Sequence, residues 1–268
     1  MTTDCTYAVL KSRALIALGG EDWRDFLQGL ITQDVETLQA GEARFGALLT
    51  PQGRLLFDLF VVGREDGAWL DVEAGSRQAL ILRLTMYRLR AKVTIAADES
   101  PVSVLFGGAI APEGWIADPR LPTLGWRGYG VDAPIDAVQV EEPAYDGHRL
   151  ALGVPGPADW GSEKTYPIEA NFDLLNGIDF HKGCFVGQET TSRMKRRGQI
   201  KNRMLPITFD GAAPAFDAEV LLGERRAGEV LSGQEGRAMA LVRLDRIDGE
   251  LTVDGKPVAV DRPSWLPL

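Results

Sequence analysis

Apolar residues in this chain occur in short runs that glycine and proline interrupt, and this pattern constrains the fold more than any other feature. None of the runs approaches the ~20 residues that a membrane-spanning helix needs. The β-prone runs of the first half are residues 7–10, 15–18, 45–49, 55–62, 69–72, 93–96 and 102–106. Helices are predicted in the amphipathic segment 21–35 and from Ser76 to about Arg90. This mixture predicts an α+β fold with helices layered on antiparallel sheet.

The sequence pattern changes after residue 203, where short predicted strands alternate with glycine-containing turns. The predicted strands are residues 205–209, 220–222, 228–231, 239–243 and 258–260. Regular short strands of this kind are typical of a small barrel or sandwich. At ~150 residues for each domain, the length of 268 residues predicts two domains, and we place the boundary near residue 203. Residues 107–165 are predicted to form loops, edge strands and one short helix.

Charge and cysteine content exclude several classes of function. The formal net charge is -9, which disfavours general binding to nucleic acid or to anionic membranes. Cys5 and Cys184 are the only two cysteines and form no CxxC pair, and only two histidines occur, so neither a built-in zinc site nor a four-cysteine iron–sulfur site is predicted. Residues 1–8 lack the basic and apolar regions of a targeting segment. We therefore expect a monomeric cytoplasmic protein that binds neither nucleic acid nor membrane.

Candidate chemistry is concentrated in residues 167–203, around Cys184. Gly183 and Gly187 flank this cysteine, and glycines let a backbone approach a ligand closely. A nearby cation lowers the pKa of a thiol and raises its thiolate fraction. In an extended segment Lys182 and Cys184 share a face while His181 points to the other, so Lys182 is the better candidate neighbour. The alternative is a buried structural cysteine beside a glycine turn, and the residues alone leave both open.

The same window contains a basic run and an isolated acid. The basic residues are Arg193, Lys195, Arg196, Arg197, Lys201 and Arg203. Guanidinium groups bind carboxylates and phosphates bidentately, so the run is a candidate anion site or, alternatively, a solvated surface. The carboxylate of Glu169, next to Asn171, could accept N–H groups from the edge of a flat heterocycle. Most glutamates, however, are simply exposed.

Residues 182–189, KGCFVGQE, resemble the YgfZ/GcvT-like folate-binding family, whose pattern reads KGC, an aromatic, any residue, then GQE. Arg193 falls where that family has an arginine. The segments FLQGLITQDV, GALLTPQGRLLFDLFVV and YRLRAKV resemble its N-terminal half, and GEVLS followed by ALVRL resembles its C-terminal barrel. The resemblance covers nearly the whole chain, except residues 107–150.

The resemblance implies a fold and a role. The fold is an aminomethyltransferase-like ring of three small domains around a central channel that holds tetrahydrofolate or a derivative, ending in a small β-barrel. The implied folate-binding region is 1–202, built of two interleaved α+β subdomains (roughly 1–45 with 140–202, and 46–139), and the barrel is 203–268. The implied role is an accessory factor in iron–sulfur cluster assembly or repair, with the assembly machinery or client proteins as partners.

The resemblance also implies the roles of individual residues. Cys184 would be the functional thiol facing the channel, with Lys182 as its neighbour. Glu169 would bind the pterin edge and Arg193 the carboxylate tail of the folate. The other implied cofactor-binding positions are Asp58, Tyr87, Gly183, Gln188 and Glu189, with Phe172 as an alternative aromatic wall.

Three other functions are compatible with parts of the sequence. A related branch of the superfamily transfers one-carbon units and uses an aspartate near the position of Asp58, although Phe57 replaces a second acid there. A thiol acyl-transfer enzyme would pair Cys184 with a histidine, but His181 is expected on the opposite face. A non-catalytic interaction protein could have inherited the fold alone.

Overall fold

The computed structural model describes residues 5–108, 113–198 and 200–267. The expectation about a targeting segment therefore falls partly on residues 1–4, which lie outside the described residues. The strands before the barrel are β1 Thr6–Val9, β2 Arg13–Gly19, β3 Ala43–Leu49, β4 Leu55–Arg64, β5 Gly67–Glu73, β6 Thr94–Asp98, β7 Val102–Phe106, β8 Ile116–Ala117, β9 Trp126–Tyr129 and β10 Val138–Gln139. The helices are α1 Trp23–Gln28, α2 Arg77–Arg88, α3 Glu142–Ala151 and α4 Gln188–Arg197.

The large sheet has the strand order β3-β4-β5-β2-β6 and is antiparallel throughout. Successive side chains of a strand point to opposite faces, and β4 uses both faces. Leu59 and Val61 pack with α1 and α2 in one core, whereas Phe60 and Val62 belong to clusters on the other face. The sheet is therefore covered on both sides, which explains why its strands read as nearly continuous apolar runs.

The small sheet has the order β10-β1-β7-β9-β8, and its β1–β10 pair is parallel. Val104 and Tyr129 of this sheet pack with Ala43 and Val62 of the large sheet. Ion pairs cross the same contact, because Arg127 of β9 donates to Asp71 of β5. The two sheets are thus joined by an apolar cluster and by buried charges.

The third module is a closed barrel of six antiparallel strands in the order β11-β14-β13-β12-β15-β16. These strands are β11 Asn202–Thr208, β12 Glu219–Leu222, β13 Arg225–Gln234, β14 Arg237–Arg243, β15 Leu251–Val253 and β16 Lys256–Val260. Met204 and Met239 of the barrel pack in one core with Phe45, Phe60 and Phe172. Aromatic side chains therefore fill the place where the large sheet, the barrel and the segment before α4 meet.

The α+β architecture with a C-terminal barrel confirms the predicted fold class, and two details differ. The boundary expected between residues 45 and 46 falls inside β3, and β2 and β3 share one sheet with β4 and β5. The helix predicted across 21–35 ends at Gln28, and the following residues turn back toward the large sheet, where Ile31 pairs with Leu48. No helix among the described residues is long and apolar enough to cross a membrane.

Candidate functional site: an anchored thiol loop and a neighbouring cavity

Residues 179–187 form the loop that carries Cys184, called here the thiol loop. The Cys184 side chain is exposed, whereas Phe185 is buried in the core between the modules. The Asp179 carboxylate accepts the backbone N–H groups of His181 at 2.7 Å and of Lys182 at 3.3 Å. The loop is therefore held on both sides of an accessible thiol. This exposure removes the alternative of a buried structural cysteine.

Gly187 ends the thiol loop and begins α4 in a left-handed conformation, with a φ of 81°. A Cβ atom at Gly187 would lie 2.6 Å from the carbonyl oxygen of Thr50 and 2.9 Å from the Cα atom of Gly53. Only glycine allows this approach, since it has no Cβ and tolerates positive φ. The glycine after Cys184 therefore seats α4 on the turn between β3 and β4.

Lys182 does not extend toward the thiol as a free cation. Its ammonium group donates to the backbone oxygens of Gln28 at 2.8 Å, Ile31 at 2.8 Å and Gln33 at 2.7 Å. An ammonium group has three donors, and all three have acceptors here. Burial lowers the pKa of Lys182 to about 8, against the opposing effect of Asp34, Asp179 and Glu36. The residue expected to activate Cys184 is thus bonded to the chain segment that follows α1.

The other motif residues surround the start of α4. The amide of Gln188 donates weakly to the oxygen of Gly183 at 3.5 Å. The exposed side chain of Glu189 lies 3.9 Å from Arg193, one helical turn later. An exposed pair at this distance contributes little to stability. Arg193 is therefore a surface residue of α4.

Glu169 lies near the barrel and already has partners. Its carboxylate accepts the backbone N–H of Tyr166 at 3.1 Å and the side-chain amide of Asn202 at 3.4 Å. Neighbouring Asn171 is fully buried and donates to the Met204 oxygen at 2.7 Å. Both residues join the segment before α4 to β11.

The basic run divides into an exposed part and a buried part. Arg203 is buried and forms two bonds of 2.9 Å to the carboxylate of Asp173. Arg196 and Arg197 are exposed at the end of α4. The run is therefore not one continuous anion site, since its last residue, Arg203, is buried and bound to Asp173.

Asp58 and Tyr87 were expected in one folate pocket, but they lie on opposite faces of the large sheet. Tyr87 packs against the core between the helices and the sheet. Asp58 shares the other face with Phe60, and its carboxylate accepts Arg13 at 2.8 Å. The cavity beside Asp58 is lined by Arg83 of α2 but not by Tyr87, so a role of Tyr87 as a folate wall stays a prediction. Phe172, the alternative wall, is buried against Phe45.

Among the cavities lined by described residues, one borders Gln33 and another borders Asp58, and each is large enough for a small molecule. The larger has a volume of about 600 Å³ and opens beside β3 and β8; its lining includes Gln33, Glu42, Arg44, Phe45, Trp115 and Asn176. The smaller has a volume of about 360 Å³ and is lined in part by Phe57, Asp58, Arg83, Trp160 and Glu163. The residues that line the larger cavity were not predicted as a site from the sequence. Gln33 lies in the family-like segment FLQGLITQDV, which is the one sequence signal that could have pointed to it.

Among the residues that the structure describes, no three His, Cys, Asp or Glu side chains form a group that could hold a metal ion.

Comparisons with known proteins place the chain in a family. The family model "CAF17, C-terminal beta-barrel domain" matches residues 201–268. The chain is 30% identical to the iron–sulfur cluster assembly factor IBA57, mitochondrial, of Mus musculus, over 96% of this chain and 84% of the relative. It is 31% identical to the IBA57 homolog of Pyricularia oryzae, over 94% of this chain and 75% of the relative.

Other fungal relatives are longer than this chain. It is 35% identical to the IBA57 homolog of Phaeosphaeria nodorum, over 87% of this chain but only 63% of the relative. It spans 58% of the homolog of Mycosarcoma maydis. Glycine cleavage system aminomethyltransferase T of Bartonella henselae shares the fold, with a TM-score of 0.78 over 99% of this chain and 87% of that chain, at 18% identity.

These relatives correct one expectation and establish the family. The cytoplasmic location expected from the sequence is wrong, because the relatives from fungi, mouse and human are named as mitochondrial proteins. The resemblance of KGCFVGQE to the YgfZ/GcvT-like proteins is confirmed by sequence relatives and by fold. The chain belongs to the IBA57 family of iron–sulfur cluster assembly factors.

Proposed function

We propose that this protein is an accessory factor for iron–sulfur cluster assembly in which Cys184 supplies a thiolate ligand to a cluster shared with a partner. The supporting observation is the exposed Cys184 on a loop that Lys182 and Phe185 anchor on either side. One thiolate cannot hold a cluster alone, because iron–sulfur clusters need several such ligands. The partner is a protein of the assembly machinery, a client protein or a small thiol.

Complementation tests the role in assembly. In cells that lack their own IBA57 protein, the wild-type chain, supplied to the compartment where that protein works, should restore the activity of the host's iron–sulfur enzymes. Enzymes without clusters serve as controls and should not change. Failure of the folded chain to restore any cluster enzyme would contradict the proposed role.

We further propose that the cavity of about 600 Å³ is the site of a reduced folate. Its size falls within the ~300–1,000 Å³ of typical ligand pockets. Phe45 and Trp115 offer apolar walls for the rings. Gln33 and Asn176 each donate one side-chain N–H to a backbone oxygen and keep a second N–H for the pterin edge. Arg44, 3.4 Å from Glu42 in the same lining, offers a cation for the glutamate tail. When bound, a reduced folate supplies a carrier for one-carbon groups and a reducing pterin. The likeness to aminomethyltransferase T supports this choice only through the fold.

Calorimetry with 5-formyltetrahydrofolate tests the folate site. Arg44→Ala should weaken binding about tenfold, because a charge-assisted bond to the tail carboxylate is worth roughly 1.5 kcal/mol or more. Glu169→Ala and Arg193→Ala test the site implied by the resemblance, and they should leave affinity nearly unchanged if the cavity is the site. Loss of binding in these two variants with full affinity in Arg44→Ala would place the folate near Glu169 instead. Absence of binding to the wild-type protein would favour a non-catalytic interaction protein.

One-carbon transfer through Asp58 is not favoured by the geometry around that residue. Arg13 donates to the Asp58 carboxylate and also to Asp71 at 2.7 Å, and both Arg13 and Asp58 are buried. The Asp58 carboxylate is thus already bound by Arg13 within the interior, and a one-carbon transfer at Asp58 would require an incoming amine to compete with that guanidinium.

A further inference from the structure

Two chain segments, 28–34 and 176–182, run side by side and are joined by hydrogen bonds. The backbone oxygen of Thr32 accepts the N–H of Asp179 at 2.9 Å, and the Thr32 hydroxyl donates to the Gly177 oxygen at 2.6 Å. Thr32 has no exposed surface, so these bonds are shielded from water. We call this pair of segments the junction.

Lys182 closes one end of the junction. It lies two residues before Cys184 and donates its three N–H groups to three carbonyl oxygens of the 28–33 turn. The carboxylates that face the ammonium group are Asp34, Glu36 and Asp179, and all three favour its charged form. Without this side chain, three backbone acceptors would lose a partner, and unsatisfied buried polar groups are costly.

The other end of the junction forms part of the wall of the large cavity. Gln33 and Asn176 both line that cavity, and the side-chain amide of Gln33 donates to the backbone oxygen of Asn176. Gln33 therefore borders the cavity, and its backbone oxygen accepts the ammonium of Lys182 at 2.7 Å. One residue separates the cavity from the lysine of the thiol loop.

We propose that Lys182 is a positioning residue that fastens the Cys184 loop to the wall of the large cavity, so that a ligand in the cavity and the reactivity of Cys184 depend on each other. This inference rests on the proposed folate site. It assigns Lys182 a different role from the thiol-activating neighbour that the motif suggests. The coupling needs only that the ligand changes the position of Gln33 or Asn176, because both segments of the junction then move together.

Alkylation of Cys184 tests the coupling in the full-length protein. Iodoacetamide reacts with the thiolate, and mass spectrometry follows the alkylation of Cys184. Cys5 packs in the cluster of Trp115, a wall of the cavity, so the control is instead the Cys184 rate in protein unfolded by urea. Saturating 5-formyltetrahydrofolate should change the rate at Cys184 about fivefold or more, the lower end of typical coupling between sites. The rate at Cys184 in the unfolded control should not respond to the folate.

The Lys182→Met variant should still bind the folate, but the folate should no longer change the alkylation rate of Cys184 by more than a small fraction of the wild-type effect. The matched control is Lys256→Met, at an exposed position on the barrel, and it should behave as wild type. The pH profile of alkylation separates positioning from activation. A positioning role leaves the apparent pKa of the Cys184 thiol unchanged in Lys182→Met, whereas an activating role raises it.

The outcomes distinguish the two proposals. Folate that binds without changing the Cys184 rate, or an effect that Lys182→Met retains in full, would overturn the coupling and leave the folate site intact. Folate that does not bind would overturn the site and the ligand-dependent coupling together. The fastening role is then tested by hydrogen exchange, in which Lys182→Met should raise exchange of the Asp179 amide about tenfold and leave the barrel amides unchanged. Equal exchange in both proteins would remove the positioning role.

Discussion

Arg13 and Asp58 form a buried ion pair of 2.8 Å on the face of the large sheet that carries Phe60. The same guanidinium donates to Asp71 at 2.7 Å, and Arg127 reaches Asp71 from the small sheet at 2.6 Å. Arg127 also lies over the Phe60 ring, 4.0 Å from its centre. On this face of the large sheet, buried charges therefore hold the two sheets together.

Asp71→Asn should destabilise the protein by about 3–5 kcal/mol, because removal of one partner leaves buried guanidinium groups uncompensated. Asp71 has no exposed surface and accepts both Arg13 and Arg127. Urea denaturation measures the free energy of unfolding. The matched control Asp66→Asn, whose exposed carboxylate lies 3.9 Å from Arg64, should stay within about 0.5 kcal/mol of wild type. Equal effects of the two variants would contradict the structural role of Asp71.

The same ion pairs predict a loss of stability in acid. Burial alone would raise the pKa of Asp71, but Arg127 and Arg13 outweigh it and hold the pKa below its ordinary value. Arg120 has the same effect on Asp118. Because the folded-state values are depressed, this stabilisation is present above the unfolded value of about 4 and is lost as the pH falls through the folded-state values. Urea midpoints measured from pH 5 to pH 2.5 should fall steeply for wild type and less steeply for Asp71→Asn.

Gly187→Ala should be more harmful than Gly198→Ala, although both glycines have positive φ at an end of α4. A Cβ atom at position 187 would meet the Thr50 oxygen at 2.6 Å, whereas one at position 198 has nothing within 4 Å. The left-handed conformation alone costs about 1–3 kcal/mol for a non-glycine residue. Thermal unfolding of the two variants gives the comparison, and equal losses would show that α4 does not rest on the turn at Thr50.

Arg203→Met should destabilise the protein by about 3–5 kcal/mol, since it leaves the Asp173 carboxylate without its bidentate partner. Arg196→Met, from the exposed part of the basic run, should change the free energy of unfolding by less than about 0.5 kcal/mol. Chemical denaturation of both variants checks this contrast. Similar small effects would mean that Arg203 acts at the surface like the rest of the run.

The sequence was sufficient for the fold class and for the family, because both depend on local patterns. The short strands after Arg203 predict the barrel, and KGCFVGQE is a specific motif. The α1 helix was predicted too long, because the apolar spacing continues through Ile31, which lies beyond the helix and forms an isolated β-bridge with Leu48.

Side-chain partners between distant segments could not be predicted in the same way. Spacing alone placed Lys182 beside Cys184, whereas its acceptors lie about 150 residues earlier in the chain. Arg203 was predicted together with the exposed basic residues that precede it, although it is buried against Asp173, which lies 30 residues earlier in the chain. The placement of Tyr87 and Asp58 on opposite faces of the large sheet was equally hidden, because a sequence does not show which face of a sheet a helix covers.

The role of Cys184 in cluster assembly is tested most sharply by comparing Cys184→Ala with Cys5→Ala in cells that lack their own IBA57 protein. The activity of the host's iron–sulfur enzymes is measured at equal levels of folded protein, confirmed by thermal unfolding. We expect Cys5→Ala to restore activity like wild type and Cys184→Ala to restore less than about a tenth of it, because the exposed sulfur is lost while the anchors of the loop remain. Full restoration by Cys184→Ala would contradict the proposal that Cys184 supplies a ligand to the cluster.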